Sequence, residues 1–115
     1  MFLKEQNPNI ICAAVEPAGV EVLAGKEIVE PKHLMQGIGY GKMVKESKMW
    51  KDGYADRFLA VSSEEAKHYK ELLAAQEGLH VGYSAAANVC AALKLRESGV
   101  QGNICTILCD TGFKY

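Results

Sequence analysis

An α/β fold, a partial three-layer parallel sheet with flanking helices, is predicted from three observations. Asn9–Val15 and Asn103–Cys109 are short, nearly continuous apolar runs, the composition of strands covered on both faces. Strand-like and helix-like stretches alternate between them. The 115 residues, 49% hydrophobic and 23% charged, suit one domain, residues 1–115, built on a single core.

Each element follows from local chemistry. Phe2 to Pro8 resembles the last turn of a helix running into the first strand, Asn9–Val15, which Glu16-Pro17-Ala18-Gly19 ends. Gly19–Ala24 then fits a short helix closed by Gly25, with Lys26–His33 as a polar connection. In Gln36-Gly37-Ile38-Gly39-Tyr40-Gly41, glycines at alternate positions make either a loop that approaches a ligand or a tight bend. Lys42–Asp56 is the one candidate linker, and Arg57–Val61 reads as the second strand. Ser62 and Glu65 form a capping box, so a helix starts there, with Ala66, Tyr69, Leu72 and Leu73 on its apolar face and Gly78 as its stop. Leu79–Gly82 is a brief extended piece. The Ala-rich segment Ser84–Leu95 is a second helix, ending near Ser98-Gly99, whose small side chains let it lie close to a neighbour. Asn103–Cys109 closes the sheet, and Asp110-Thr111-Gly112 turns away from it.

Thirteen basic against fourteen acidic residues give a net charge of -1, which argues against nucleic acid or an anionic membrane as partner. No apolar run approaches the roughly 20 residues of a membrane span, and the start lacks a signal peptide's pattern, so a cytoplasmic location is expected. Cys12, Cys90, Cys105 and Cys109 stand in apolar or Ala-rich stretches and are expected as reduced, buried thiols. They and His33, His68 and His80 lack zinc spacing, so no metal site is expected.

In an open α/β sheet, ligands bind beyond the C-terminal ends of the strands. Glu16-Pro17-Ala18-Gly19, Gly82-Tyr83-Ser84-Ala85 and Asp110-Thr111-Gly112 meet that edge. Ser84, at a helix start, either caps the helix or points to a ligand.

Five blocks taken together carry a resemblance: Val15–Gly19, Met35–Gly41, Ser62–Ala66, Glu77–Ala87 and Cys109–Tyr115. Their order and spacing resemble the later portion of cysteine synthase (O-acetylserine sulfhydrylase), a fold-type II pyridoxal phosphate enzyme. The resemblance implies the C-terminal domain of such a protein, a transferase or lyase of amino-acid biosynthesis. It makes Ser84 the hydroxyl that meets the cofactor's pyridine nitrogen. An uncharged partner there leaves that nitrogen unprotonated, a tuning suited to β-elimination. It makes Gly37, Ile38 and Gly39 the loop bordering the amino-acid substrate, and Asp110 and Thr111 the wall of the cofactor site.

Departures stand beside it. Ala85-Ala86-Ala87 replaces the family's usual Ser-Gly-Ala, and Cys109-Asp110-Thr111-Gly112 stands where the family usually has Pro-Ser-Ser-Gly or Pro-Asp-Ser, so Asp110 either sets a charge near the ring or caps a turn. Tyr40–Trp50 lacks the customary Gly-Phe-Ile-Pro. The Schiff-base lysine and the phosphate cradle belong to the family's upstream portion, and Lys26, Lys32 and Lys42 sit in polar loops. The expectation is therefore a C-terminal portion or truncated homologue with no catalytic residue of its own. It is expected to be inactive alone and not to bind pyridoxal 5'-phosphate alone. The alternative is a non-catalytic module that self-associates or docks to a complete synthase or an upstream polypeptide. Met1 as natural start or cut site, and O-acetylserine, O-phosphoserine or serine with homocysteine as the parent's substrates, remain alternatives.

Overall fold

Two parallel strands and two stacked helices form the frame of the chain. A computed structural model describes residues 2–29, 32–36, 38–39, 53 and 55–114. Helix α1 (Phe2–Gln6) leads to strand β1 (Ala13–Pro17), which pairs in parallel with β2 (Arg57–Val61), Ala13 opposite Arg57 and Pro17 opposite Val61. Helix α2 (Ser63–Leu72) widens into a π-helical turn (Leu73–Glu77), helix α3 (Tyr83–Glu97) follows, and a 3₁₀ turn occupies Gly112–Lys114. The α/β class with a parallel sheet and flanking helices stands. No helix among the described residues is long and apolar enough to cross a membrane.

The second strand and the capping box lie where the sequence placed them. Ser62 Oγ accepts from the Glu65 amide at 3.0 Å, and Glu65 Oε1 accepts from the Ser62 amide at 3.0 Å. Gly78 ends the helical stretch with φ 66°, the left-handed region open to glycine at no steric cost. The first strand sits later than Asn9–Val15. Residues 7–10 are tied to α1 instead, through Asn7 N–H to the Leu3 carbonyl and Lys4 Nζ to the Ile10 carbonyl.

Two expected elements do not form. In place of a helix over Gly19–Ala24 there is a turn at 22–25, because the Glu16 carboxylate captures the amides of Leu23 at 3.0 Å and Ala24 at 3.3 Å. Those amides would otherwise propagate a helix. Asn103–Cys109 is not a strand covered on both faces. It runs without turn or bend, no backbone-to-backbone hydrogen bond ties it to another described residue, the Asn88 side chain bonds its Ile107 carbonyl, and Ile107 is 71% exposed. A strand needs a ladder partner, and no described segment supplies one. The cysteine expectation holds for burial at Cys90 alone: all four thiols are free, Cys12 is half-buried, and Cys105 and Cys109 are exposed. Gly37 and Tyr40–Trp50 lie outside the described residues, as does most of the linker.

The core lies where α3 meets the sheet and α2. Met35, Val61, Ala66, Ala87, Cys90 and Ala91 are buried together, with Val15, Ile38, Leu59, Tyr69 and Tyr83 packed against them. Glu65 joins three elements, because Lys94 of α3 reaches its Oε2 at 2.8 Å and also donates to the Ala60 carbonyl of β2 at 2.8 Å. Burial pushes the Glu65 carboxyl up, but Lys94 and the Ser62 amide more than offset this and hold it below its ordinary value. Burial and the neighbouring Glu65 carboxylate push the Cys90 thiol up to about 11, so it stays protonated.

Replacing Ser62 with Ala removes one side of the capping box and should cost about 1 kcal/mol of stability, read as a lower melting temperature. Gly78→Ala should cost a similar amount, about 1 kcal/mol, through backbone strain alone, since nothing lies within 4 Å of the added methyl.

Candidate functional site at the helix α3 N-terminus

A helix leaves its first amides without intrahelical partners, and α3 opens on Gly82, which has no side chain to cap them. The cap comes from 25 residues downstream: the Ala85 amide donates to Asp110 Oδ1 at 3.0 Å. The backbone holds Asp110 there. Gly82 N–H donates to the Asp110 carbonyl, Gly112 N–H donates to the His80 carbonyl, each at 3.1 Å, and Val81 and Thr111 form an antiparallel bridge. The fit is close. A methyl on Gly82 would lie 2.1 Å from Asp110 Oδ2, and one on Gly112 would lie 2.8 Å from the His80 ring. Asp110 Oδ2 is buried without a partner among the described residues.

Ser84 turns the other way. It is 3% exposed, and its hydroxyl donates to the Gln36 carbonyl at 2.7 Å, which binds the α3 N-terminus to the segment carrying Ile38 and Gly39. That segment lies over the C-terminal end of β1: a Cβ on Gly39 would stand 2.7 Å from Pro17 Cγ and 2.8 Å from His33 Nε2, and its φ is 73°. Gly39 is therefore required both by space and by backbone conformation.

The structure thus gathers Ser84, Asp110, Thr111, Ile38 and Gly39 at one end of the sheet, while Gly37 lies outside the described residues. Of the alternatives open for Ser84 and Asp110, neither side chain caps its own local turn: Ser84 binds a distant carbonyl, and Asp110 caps α3. Gln36 and Gly82 fall in segments that the sequence singles out, but nothing in the sequence marks the Gln36 carbonyl as the partner of Ser84 or the Gly82 backbone as the partner of Asp110. Glu16, expected at the ligand edge, instead holds the turn at 22–25. It is 5% exposed, and burial raises its carboxyl above the ordinary range against the opposing pull of the Leu23, Ala24 and Val22 amides. Among the described residues, no group of three or more His, Cys, Asp or Glu could hold a metal ion.

The family profile described as "Pyridoxal-phosphate dependent enzyme" matches residues 1–110. The chain is 35% identical to the cysteine synthase of Buchnera aphidicola subsp. Schizaphis graminum, over 98% of its own length and 36% of that protein's. It is also 35% identical to cysteine synthase A of Escherichia coli K12, over 93% of its own length and 34% of that protein's. Among solved structures, an O-acetylserine dependent cystathionine beta-synthase from Helicobacter pylori superposes with a TM-score of 0.84 at 34% identity, covering 99% of this chain and 36% of that one. The chain spans about a third of the length of the curated relatives it matches.

That family's cofactor would require a free donor toward the pyridine nitrogen. Here the Ser84 proton is committed to Gln36, and the Asp110 carboxylate is drawn onto the α3 N-terminus. Lysines with defined partners are engaged elsewhere, Lys4 with Asp56, Lys26 with Glu21 and Lys94 with Glu65. As arranged in this chain, the described residues do not fit pyridoxal 5'-phosphate.

Gly82→Ala should destabilise the chain by about 1–3 kcal/mol, the usual range for overpacking. Asp110→Ala removes the group it strikes, so the double variant should be less destabilised than the sum of the singles. Additive denaturation free energies would refute the contact. For Glu16, the raised carboxyl means the folded chain binds the proton more tightly than the unfolded one, so its contribution falls as pH rises through the raised value. The stability difference between the natural chain and Glu16→Gln should therefore shift against the natural chain from about pH 4 to about pH 7. A shift in its favour would show that the amides dominate.

Proposed function

The chain belongs to the pyridoxal-phosphate dependent enzyme family, and we propose that it is the C-terminal part of a cysteine synthase-type activity, replacement of the β-substituent of O-acetylserine by sulfide to give cysteine. The match to cysteine synthases along nearly the whole chain carries this reading. The site supports it: Ser84, the Ile38–Gly39 segment and the Asp110–Thr111 turn stand together at the sheet end where α/β ligands bind.

The chain alone is inactive in this reading. It contributes one wall of a site, and the Schiff-base lysine and the phosphate cradle come from the portion of the family's chain that these residues do not span. Until that portion is present, Gln36 holds Ser84 and α3 holds Asp110, so the wall stays closed on itself. A non-catalytic docking role is the second reading, favoured by the exposed Ile107, Leu108 and Phe113.

The test is a visible absorption titration with pyridoxal phosphate, followed by borohydride reduction and peptide mapping, and an assay with O-acetylserine and sulfide. The chain alone should give no saturable band and no cysteine. Mixed with the complementary part of a family member it should give both, and Ser84→Ala in that mixture should lower turnover about 10-fold or more. Cysteine formed by the chain alone would overturn inactivity. A mixture in which the chain associates without turnover would favour the second reading.

A further inference from the structure

Past its C-terminal end, helix α3 is followed by chain that runs back along the helix to its N-terminus, and α3 holds that chain at three places. Arg96 donates to the Val100 carbonyl at 3.2 Å and to the Gly102 carbonyl. Asn88 Nδ2 donates to the Ile107 carbonyl at 2.9 Å. At the far end, Gly82 N–H donates to the Asp110 carbonyl and the Ala85 amide donates to Asp110 Oδ1. No backbone-to-backbone hydrogen bond ties residues 103–109 to another described residue, which leaves the middle of the run to the Asn88 side chain.

We propose that Asn88 is a positioning residue of the candidate site. Its side-chain amide sets the register of residues 103–109 against α3, and thereby the place at which Asp110 and Thr111 stand beside the helix end that carries Ser84.

Two lengths support this. Gly82 to Asn88 is six steps along the helix, about 9 Å at 1.5 Å per residue. Ile107 to Asp110 is three steps of extended chain, about 10 Å at 3.3 Å per residue. The two spans match, so the bonds at Asn88 and at Gly82 are made together. A slip of one residue would change the second span to about 7 or about 13 Å, and would turn the acceptor away, because successive carbonyls of an extended chain face opposite sides. Asparagine suits the task, since its carboxamide is a donor on a short stem with few rotamers to lose. The cap it serves leaves no slack: a methyl on Gly82 would lie 2.1 Å from Asp110 Oδ2.

Amide hydrogen exchange of the full chain tests the register. Asn88→Leu and Asn88→Asp keep the size of the side chain and remove the donor, the first without a charge and the second with one. Both should speed exchange at Gly82, Ala85 and Gly112 by about 5-fold or more, the effect of one lost hydrogen bond. Ala86 and the Glu65 amide of the capping box should be unchanged. Asn88→Gln keeps the amide and should recover part of the protection. Uniform acceleration would show a bond that serves stability alone and overturn the proposal, as would no acceleration at Gly82 and Ala85. Equal losses in Asn88→Gln and Asn88→Leu would overturn it too, since the amide would then not be what holds the register.

The bearing on chemistry rests on the enzymatic reading and is scored separately, in a mixture with the part of Escherichia coli cysteine synthase A outside the matched stretch. Where the natural mixture makes cysteine, Asn88→Leu should lower kcat by about 10-fold or more at unchanged association, and full turnover would overturn its role in the site. A natural mixture that makes no cysteine tells against the enzymatic reading, and exchange alone then decides the register.

Discussion

The close approach of helix α3 to its surroundings is the constraint on which the remaining structure depends. Ala85, Ala86, Ala87 and Ala91 are each at most 1% exposed, so the helix is covered on more than one side and has little amphipathic character. A longer side chain at any of these positions would have to displace a neighbour, since interiors are packed to crystal density. That proximity lets Lys94 reach both Glu65 and the end of β2, and holds Cys90 beside the Glu65 carboxylate. The exposed part of the Lys94–Glu65 pair is worth little by itself. Its value is positional, because Lys94 ties α3 to both α2 and β2.

At the N-terminal end of the same helix, burial creates a debt of unpaired amides that Gly82 cannot meet locally. Asp110 meets it from the far end of the chain, and the Val81–Thr111 bridge keeps that carboxylate in place. The consequence is functional as well as structural. Of the residues that the family resemblance assigns to a cofactor, Ser84 is bonded to the Gln36 carbonyl and one oxygen of Asp110 to the Ala85 amide.

What was legible in the sequence divides by distance along the chain. The Ser62–Glu65 box, the Gly78 stop and the Arg57–Val61 strand rest on contacts within a few residues or on a short apolar pattern, and each stands where expected. The failures involve partners that no local pattern encodes. Gly19–Ala24 has acceptable helix chemistry, but Glu16 takes its amides. Asn103–Cys109 has strand composition, yet composition does not supply the neighbouring strand. In the site, Ser84 was legible as a helix-start residue, but its bond to Gln36 spans 48 residues and ends on a backbone carbonyl. The family resemblance brought Ser84, Asp110 and the glycine loop into view together, and the structure shows Ser84 bonded to Gln36 and Asp110 to Ala85.

Native-state amide exchange at Ala85, resolved by nuclear magnetic resonance, tests the central claim most directly. Ala85 stands in the first turn of α3, where no intrahelical acceptor exists, so any protection of its amide reports the Asp110 carboxylate. The account predicts exchange as slow as at Ala86, whose amide bonds the Gly82 carbonyl. Exchange at Ala85 at the rate of an unprotected amide, with Ala86 protected, would contradict a wall closed on itself.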